Sequence, residues 1–180
     1  MTVLTSLSLP ARIYKAAHLT GHFSLRLGGT SNEFFDNFRF LADPVLLHDI
    51  AEAMVPLLPP EAEVLAGPEL AGVPLTTMLS QLTGLPTVWV RKEAKTYGTC
   101  RLAEGADISG RQVVMMEPMI KTGQFGLNIC KQLREVGAEV NYALCVIDWE
   151  RGAPALLESH GIQERALFTY KEVAEAGQNS

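Results

Sequence analysis

The stretch Gln112 to Gly126, QVVMMEPMIKTGQFG, decides the fold. Val113 to Met116 is a short apolar run bounded by Gly110 and Pro118, with the length and composition of a buried strand. Glu117 stands at its carboxyl end and a polar loop follows. Gly123 then opens a stretch in which Phe125, Leu127, Ile129 and Leu133 carry helical spacing. Strand, polar loop and helix start present free backbone N–H groups and a positive dipole end to an anion, most often a phosphate. An ordinary strand-to-helix turn has the same outline, so the rest of the chain must decide between them.

Outward from this stretch the pattern repeats. Glu63 to Ala66 is a strand candidate, and the turn Gly67-Pro68-Glu69-Leu70-Ala71-Gly72 leads into helical spacing over Val73 to Leu82, ended by Gly84. Thr87 to Val90 is β-branched and aromatic, hence a strand. Gln112 to Glu117 is a strand, Gly123 to Val136 a helix closed by Gly137, and Glu139 to Ile147 another strand. Strands alternating with helices predict an α/β fold with a parallel, doubly wound sheet. Ligands of such sheets sit outside the carboxyl ends of the strands, which places Gly67–Gly72, Arg91–Lys95, Glu117–Gly123 and Asp148–Arg151 around one crevice. Arg91 to Gly110 is the longest loop, and its cations Arg91, Lys92 and Lys95 read either as a solvated face or as a mobile cationic lid.

Toward the amino end, Ala11 to His18 predicts a short helix begun near Pro10, and His22 to Leu27 alternates like a half-buried strand. Gly28 to Asn32 is turn chemistry, after which Glu33-Phe34-Phe35-Asp36 resumes an extended run. Adjacent aromatics on a strand face opposite ways; spacing alone favours both being packed. Asp43-Pro44 caps a helix through Leu46, Ile50 and Val55 that ends before Pro59-Pro60.

At 180 residues, with 47% hydrophobic and 19% charged content, one domain spanning 1–180 with a real core is expected. Only Gly177-Gln178-Asn179-Ser180, within the polar tail 175–180, reads as unstructured. A net charge of −5 gives no electrostatic support to nucleic-acid or acidic-membrane binding. The three cysteines, Cys100, Cys130 and Cys145, lack disulfide or zinc spacing. Neither a signal peptide nor a membrane span is expected, and the expected location is the cytoplasm.

Several of these segments closely resemble the orotate phosphoribosyltransferase family. They are Ser31-Asn32-Glu33-Phe34-Phe35-Asp36, the Gly67-to-Pro74 turn, Arg91-Lys92-Glu93-Ala94-Lys95, Val146-Ile147-Asp148 and Ala166-Leu167-Phe168-Thr169. The likeness runs from about Ile13 to Thr169 and is most specific at the R-K-E-A-K run. It implies a type I phosphoribosyltransferase fold: a mostly parallel sheet flanked by helices, a small hood from about 10–40 and a flexible lid over 91–110. Family members take ribose from 5-phosphoribosyl diphosphate with magnesium, and they are homodimers whose lid lysine reaches the neighbouring subunit's site. On that pattern Lys95 and Glu117 are the catalytic candidates. Lys121, Thr122, Gly123 and Gln124 would hold a phosphate, while Glu69, Leu70, Ala71 and Gly72, with Arg91 and Lys92, would hold the diphosphate. Arg26, Phe34, Phe35 and Trp149 would lie at the base. A diphosphate leaving group concentrates negative charge, which positioned cations stabilise as it departs.

The organising stretch departs from the family pattern of two adjacent acids followed by a Thr-Thr-Gly-Gly turn. Here Glu117-Pro118 and Lys121-Thr122-Gly123-Gln124 stand in those places. Pro118 supplies neither carboxylate nor N–H, and loss of one preorganised group is expected to lower the rate by a factor on the order of 10²–10³. Gln124 adds bulk and Lys121 adds positive charge beside the anion. Trp149 stands where an arginine usually meets the orotate carboxylate; an aromatic stacks on a ring but cannot pair with a carboxylate. Tyr97 takes a lid position often held by histidine. These departures favour a divergent protein that binds phosphoribosyl diphosphate, ribose 5-phosphate or a nucleotide and acts as an enzyme with altered substrate or chemistry, magnesium being in doubt. The alternatives are a non-catalytic nucleotide-binding or regulatory homologue, and ordinary transfer to orotate, giving orotidine monophosphate in pyrimidine biosynthesis.

Overall fold

The computed structural model describes residues 7–24, 28–93, 96–98 and 101–180. Helix α1 (Leu9–Ala17) starts on Pro10 and buries Ala11, Ile13 and Ala17. Strands β1 (His18–Ser24) and β2 (Thr30–Phe35) pair antiparallel, His18 opposite Phe35, and form a two-stranded sheet of their own. The strand expected over His22–Leu27 thus begins at His18, and residues 25–27 lie outside those described. A helix that the sequence reading missed, α2 (Asn37–Leu41), follows because the Asp36 carboxylate accepts the Phe38 N–H at 3.0 Å, a side-chain N-cap. Asp43 caps α3 (Pro44–Met54) as expected, accepting from the N–H groups of Val45 and Leu46.

The body continues as β3 (Val64–Pro68), α4 (Gly72–Thr83), β4 (Thr87–Val90), β5 (Ala103–Gly105), β6 (Gln112–Ile120), α5 (Gln124–Glu135), β7 (Glu139–Asp148), α6 (Ala153–Glu158), β8 (Gln163–Thr169) and α7 (Tyr170–Gln178). Helix α4 stops at Gly84, whose φ of 74° favours a residue without a Cβ. The six-stranded sheet runs β5-β4-β3-β6-β7-β8, and only β5 is antiparallel to its neighbour. Strand β5 corrects the reading of 91–110 as one continuous loop: Ala103 and Gly105 pair with Val90 and Val88, and three residues are too few to show a period. The turn expected over Gly67–Gly72 is also shorter, with Gly67 and Pro68 in β3 and Gly72 already in α4.

Two apolar clusters sandwich the sheet. Leu65, Val114 and Met116 pack with Leu46, Ile50, Leu75 and Leu79 of α3 and α4 on one face. Ala66, Val113 and Met115 pack with Leu127, Ile129, Leu133 and Leu157 of α5 and α6 on the other. Met115 and Met116 are both fully buried, as gap-filling methionines of a central strand should be. Burial of each such side chain contributes roughly 1.5–3 kcal/mol.

Strand β6 does not end at Glu117, as the sequence reading expects, but runs through Pro118 to Ile120. Its pairing with β3 spans only Val113 to Met115, whereas its pairing with β7 continues to Ile120 opposite Asp148. Pro118 therefore sits where one flank has lost its ladder partner, the kind of place that tolerates a residue without an N–H.

At the carboxyl end of the chain the Thr169 hydroxyl and Glu172 carboxylate form a capping box that starts α7. This helix packs on α1 so closely that Gly177 leaves no room for a Cβ beside the Tyr14 ring. No described helix is long and apolar enough to cross a membrane.

Candidate active site

The parallel strands β3, β4, β6, β7 and β8, counted in chain order, stand as 2-1-3-4-5 across the sheet, so winding reverses between β3 and β6. A crevice opens outside the carboxyl ends at such a reversal. Two loops flank it: Glu69–Ala71 after β3 and Lys121–Gly123 after β6.

The first loop is held on both sides. A Cβ at Gly72 would fall 2.7 Å from Pro68 Cδ and 2.9 Å from the Met116 carbonyl oxygen, so only glycine lets α4 start against β6. The Glu69–Leu70 peptide is cis, and the Leu70 side chain is 68% exposed. Glu69 N–H donates to the Val90 carbonyl at 2.8 Å, and its Oε1 accepts the Lys92 N–H at 2.8 Å. The backbone of Arg91-Lys92 is thereby clipped to the turn. Arg91 N–H also donates to the Leu102 carbonyl at 2.9 Å, while its side-chain Nε is buried without a hydrogen-bond partner. Of the expected diphosphate group, the structure brings Glu69, Leu70, Ala71, Gly72, Arg91 and Lys92 to one corner. Lys95 lies outside the described residues.

Across the crevice, Gly123 (φ 78°) precedes α5, and no side chain caps that helix. Among the described residues no side-chain acceptor meets its first N–H groups, an arrangement of the kind that can take an anion. A Cβ at Gly123 would press on Ala153 at 3.2 Å. Lys121 and Thr122 are exposed, and Gln124 turns its amide to Asn128 at 3.0 Å. Although the residue as a whole is exposed, partial desolvation of its ammonium over the Trp149 ring, and then the neighbouring Arg151, lower the Lys121 pKa. Glu117 faces α5: a Cβ at Gly126 would sit 3.4 Å from its Oε2. Burial first, and the Glu164 carboxyl second, raise the Glu117 pKa to about 8.

The third wall is aromatic. Phe35 is buried and Phe34, 41% exposed, stacks on Phe23, so the two phenyls do point opposite ways and the expectation that both are packed is corrected. Phe35 meets the Trp149 indole edge-on at 5.9 Å, and Trp149 stacks on Tyr170 at 4.1 Å. Lys121 Nζ lies 4.4 Å and the Arg151 guanidinium 5.5 Å from the Trp149 ring centroid, both in cation–π position. Tyr170, which the sequence reading missed, joins β8 to this wall; no periodicity links it to Trp149. Arg26 lies outside the described residues.

Magnesium, implied by the family resemblance, finds no protein cage at the crevice. Among the described residues, the group of three His, Asp or Glu side chains close enough to share an ion is His48, Asp49 and Glu52 on α3. At the crevice Pro118 offers no carboxylate, so the described residues do not fit a resident ion.

No family model matches the chain. The orotate phosphoribosyltransferase of Nocardioides sp. is 45% identical over 166 residues, covering 92% of this chain and 93% of that one. That of Halobacterium salinarum is 40% identical over 156 residues, covering 87% and 89%. Among solved structures, the orotate phosphoribosyltransferase of Aeropyrum pernix superposes with a TM-score of 0.79 at 25% identity, covering 94% of this chain and 98% of that one. The Mycobacterium tuberculosis H37Rv enzyme in complex with 5-phospho-alpha-D-ribosyl 1-diphosphate gives 0.79 at 22%, covering 92% and 96%, a likeness of fold.

Proposed function

The chain belongs to the orotate phosphoribosyltransferase family, and from that premise we propose that it performs the ordinary family reaction. Orotate and 5-phosphoribosyl diphosphate give orotidine monophosphate and diphosphate. The observation that carries this reading is 45% identity to a relative of that name across nearly the whole of both chains. It outweighs the reading of altered substrate or chemistry, which rests on departures at single positions, and the non-catalytic alternative with it.

In this reaction the base nitrogen forms a bond to the ribose anomeric carbon, the bond from that carbon to diphosphate breaks, and the nitrogen gives up its proton. The chain's own groups act by position and charge. Lys121 and the free N–H groups at the start of α5 take the ribose phosphate, a role supported by the absence of a side-chain cap on that helix. The clipped turn Glu69–Gly72 with Arg91, Lys92 and Lys95 takes the diphosphate and stabilises it as it leaves. Glu117 faces the sugar. Phe34, Phe35, Trp149 and Arg26 border the base, with Lys121 and Arg151 as the cations over the Trp149 face. Magnesium would arrive with the diphosphate, and Lys95 would serve the neighbouring subunit of a dimer.

The test follows orotate absorbance in a mixture of the purified protein, orotate, phosphoribosyl diphosphate and magnesium. Consumption of orotate, abolished by Lys95→Ala in a folded variant, is expected. Binding of phosphoribosyl diphosphate by calorimetry without orotate consumption would overturn the proposal and return altered chemistry to the lead.

A further inference from the structure

Three neighbouring strands place two acids and a thiol on the α5–α6 side of the sheet. Glu117 on β6 is in register with Cys145 on β7, and the Cys145 thiol donates to Glu164 Oε1 of β8 at 3.5 Å. The other Glu164 oxygen, Oε2, is buried without a hydrogen-bond partner among the described residues. Glu164 also lines a cavity of ≈ 440 Å³ with Asn141, Tyr142, Pro154 and Gln163, and this space is large and polar enough to admit water. No cation bridges either carboxyl among the described residues.

Building on the placement of Glu117 at the sugar, we propose that Glu164 is a positioning residue. It controls the proton on Glu117 across the Cys145 thiol, which neighbours both carboxyls.

The other groups facing this pair do not supply the missing countercharge. Cys130 of α5 is a buried thiol pushed up to about 12, first by burial. Asp148, at the end of β7, adds negative charge that raises Glu164, after burial, to about 7. Arg134 of α5 spends its guanidinium on the carbonyls of Val140, His160 and Gly161. Burial first, and the like charge of Glu164 second, therefore keep a proton on Glu117 near neutrality. With that proton Glu117 donates a hydrogen bond to a sugar hydroxyl. Without it, above about pH 8, the carboxylate offsets the developing ribosyl cation.

The experiment has two readouts. In the ligand-free protein the carboxyl stretch of Glu117, assigned by its loss in Glu117→Gln, is followed against pH by infrared spectroscopy. Glu164→Gln should move that titration down by on the order of one pH unit, and Glu164→Asp should leave it near its original position. Cys145→Ala, which frees Glu164 to hold its proton, should move it the same way as Glu164→Gln and serves if that variant fails to fold. In turnover, the rising limb of kcat/KM for phosphoribosyl diphosphate should shift with the infrared titration, raising the rate below the limb by about tenfold per unit. An unmoved infrared titration in folded Glu164→Gln, or a rate lowered equally at every pH, would overturn the proposal. A moved titration in a protein that does not consume orotate would uphold the Glu117–Glu164 pairing and sink the transfer reading instead.

Discussion

The indole of Trp149 lies flat on the phenol of Tyr170, ring centroids 4.1 Å apart and planes inclined by 13°. Since Phe35 meets the same indole edge-on, this stack ties β2 of the amino-terminal pair to the end of β7 and the start of α7. Trp149→Ala should weaken ligand binding by ~1–3 kcal/mol if a base stacks here. Tyr170→Ala should produce a smaller loss at the same site, because it removes the plate's support and not the plate. Calorimetric titration of both variants with orotidine monophosphate checks this, and unchanged affinity in both would return Trp149 to a packing role.

Gly72→Ala tests the join between the diphosphate turn and β6. Its methyl would meet Pro68 and the Met116 carbonyl, and backbone cannot step aside as a flexible side chain can. A loss of about 1–3 kcal/mol in denaturant unfolding is expected, together with weaker phosphoribosyl diphosphate binding.

Pro118→Asp would rebuild the pair of adjacent acids. Position 118 is buried, however, and a carboxylate placed there gives up its hydration. The variant should melt at a lower temperature without a gain in turnover. A rate increase at unchanged Tm would show that the proline, and not its surroundings, limits the site.

The raised Glu117 pKa sets a sign for stability. Folded Glu117 keeps its proton to about 8, whereas in the unfolded chain it titrates near the ordinary 4.5. Between these values the folded state holds a proton that the unfolded state has released. This contribution to stability is complete below the lower value and is lost as pH rises through the upper one. Glu117→Gln should therefore gain Tm relative to the parent from about pH 5 to about pH 9. Thermal melts of both proteins across that range decide it, and parallel curves would place the titration elsewhere.

Much of this was legible in the chain. The apolar run at Val113–Met116, the Asp43 cap and the Gly84 stop are local signals, and each produced the element it announced. Helix α2 was hidden because the aromatic pair before Asp36 continues a strand pattern into its cap. Strand β8 begins Gln-Glu-Arg and runs half-buried at a sheet edge, so it lacks the apolar run of a central strand. At the site, the glycine turns and cations announced themselves by type. The Trp149–Tyr170 stack and the cluster of Glu117, Cys145 and Glu164 did not, because each depends on which elements lie side by side.

The seam between α1 and α7, where Gly177 gives way to Tyr14, joins segments from nearly opposite ends of the described chain. On the ribosome, α1 and the β1–β2 pair emerge long before α7, which carries Tyr170 into the wall around Trp149. A nascent chain can complete its central sheet in part while this wall stays open, so under the proposed base-binding reading competence to close around a base arrives only with α7. Ligand capture by stalled, partly synthesised chains should appear abruptly once α7 clears the exit tunnel, and not in proportion to length.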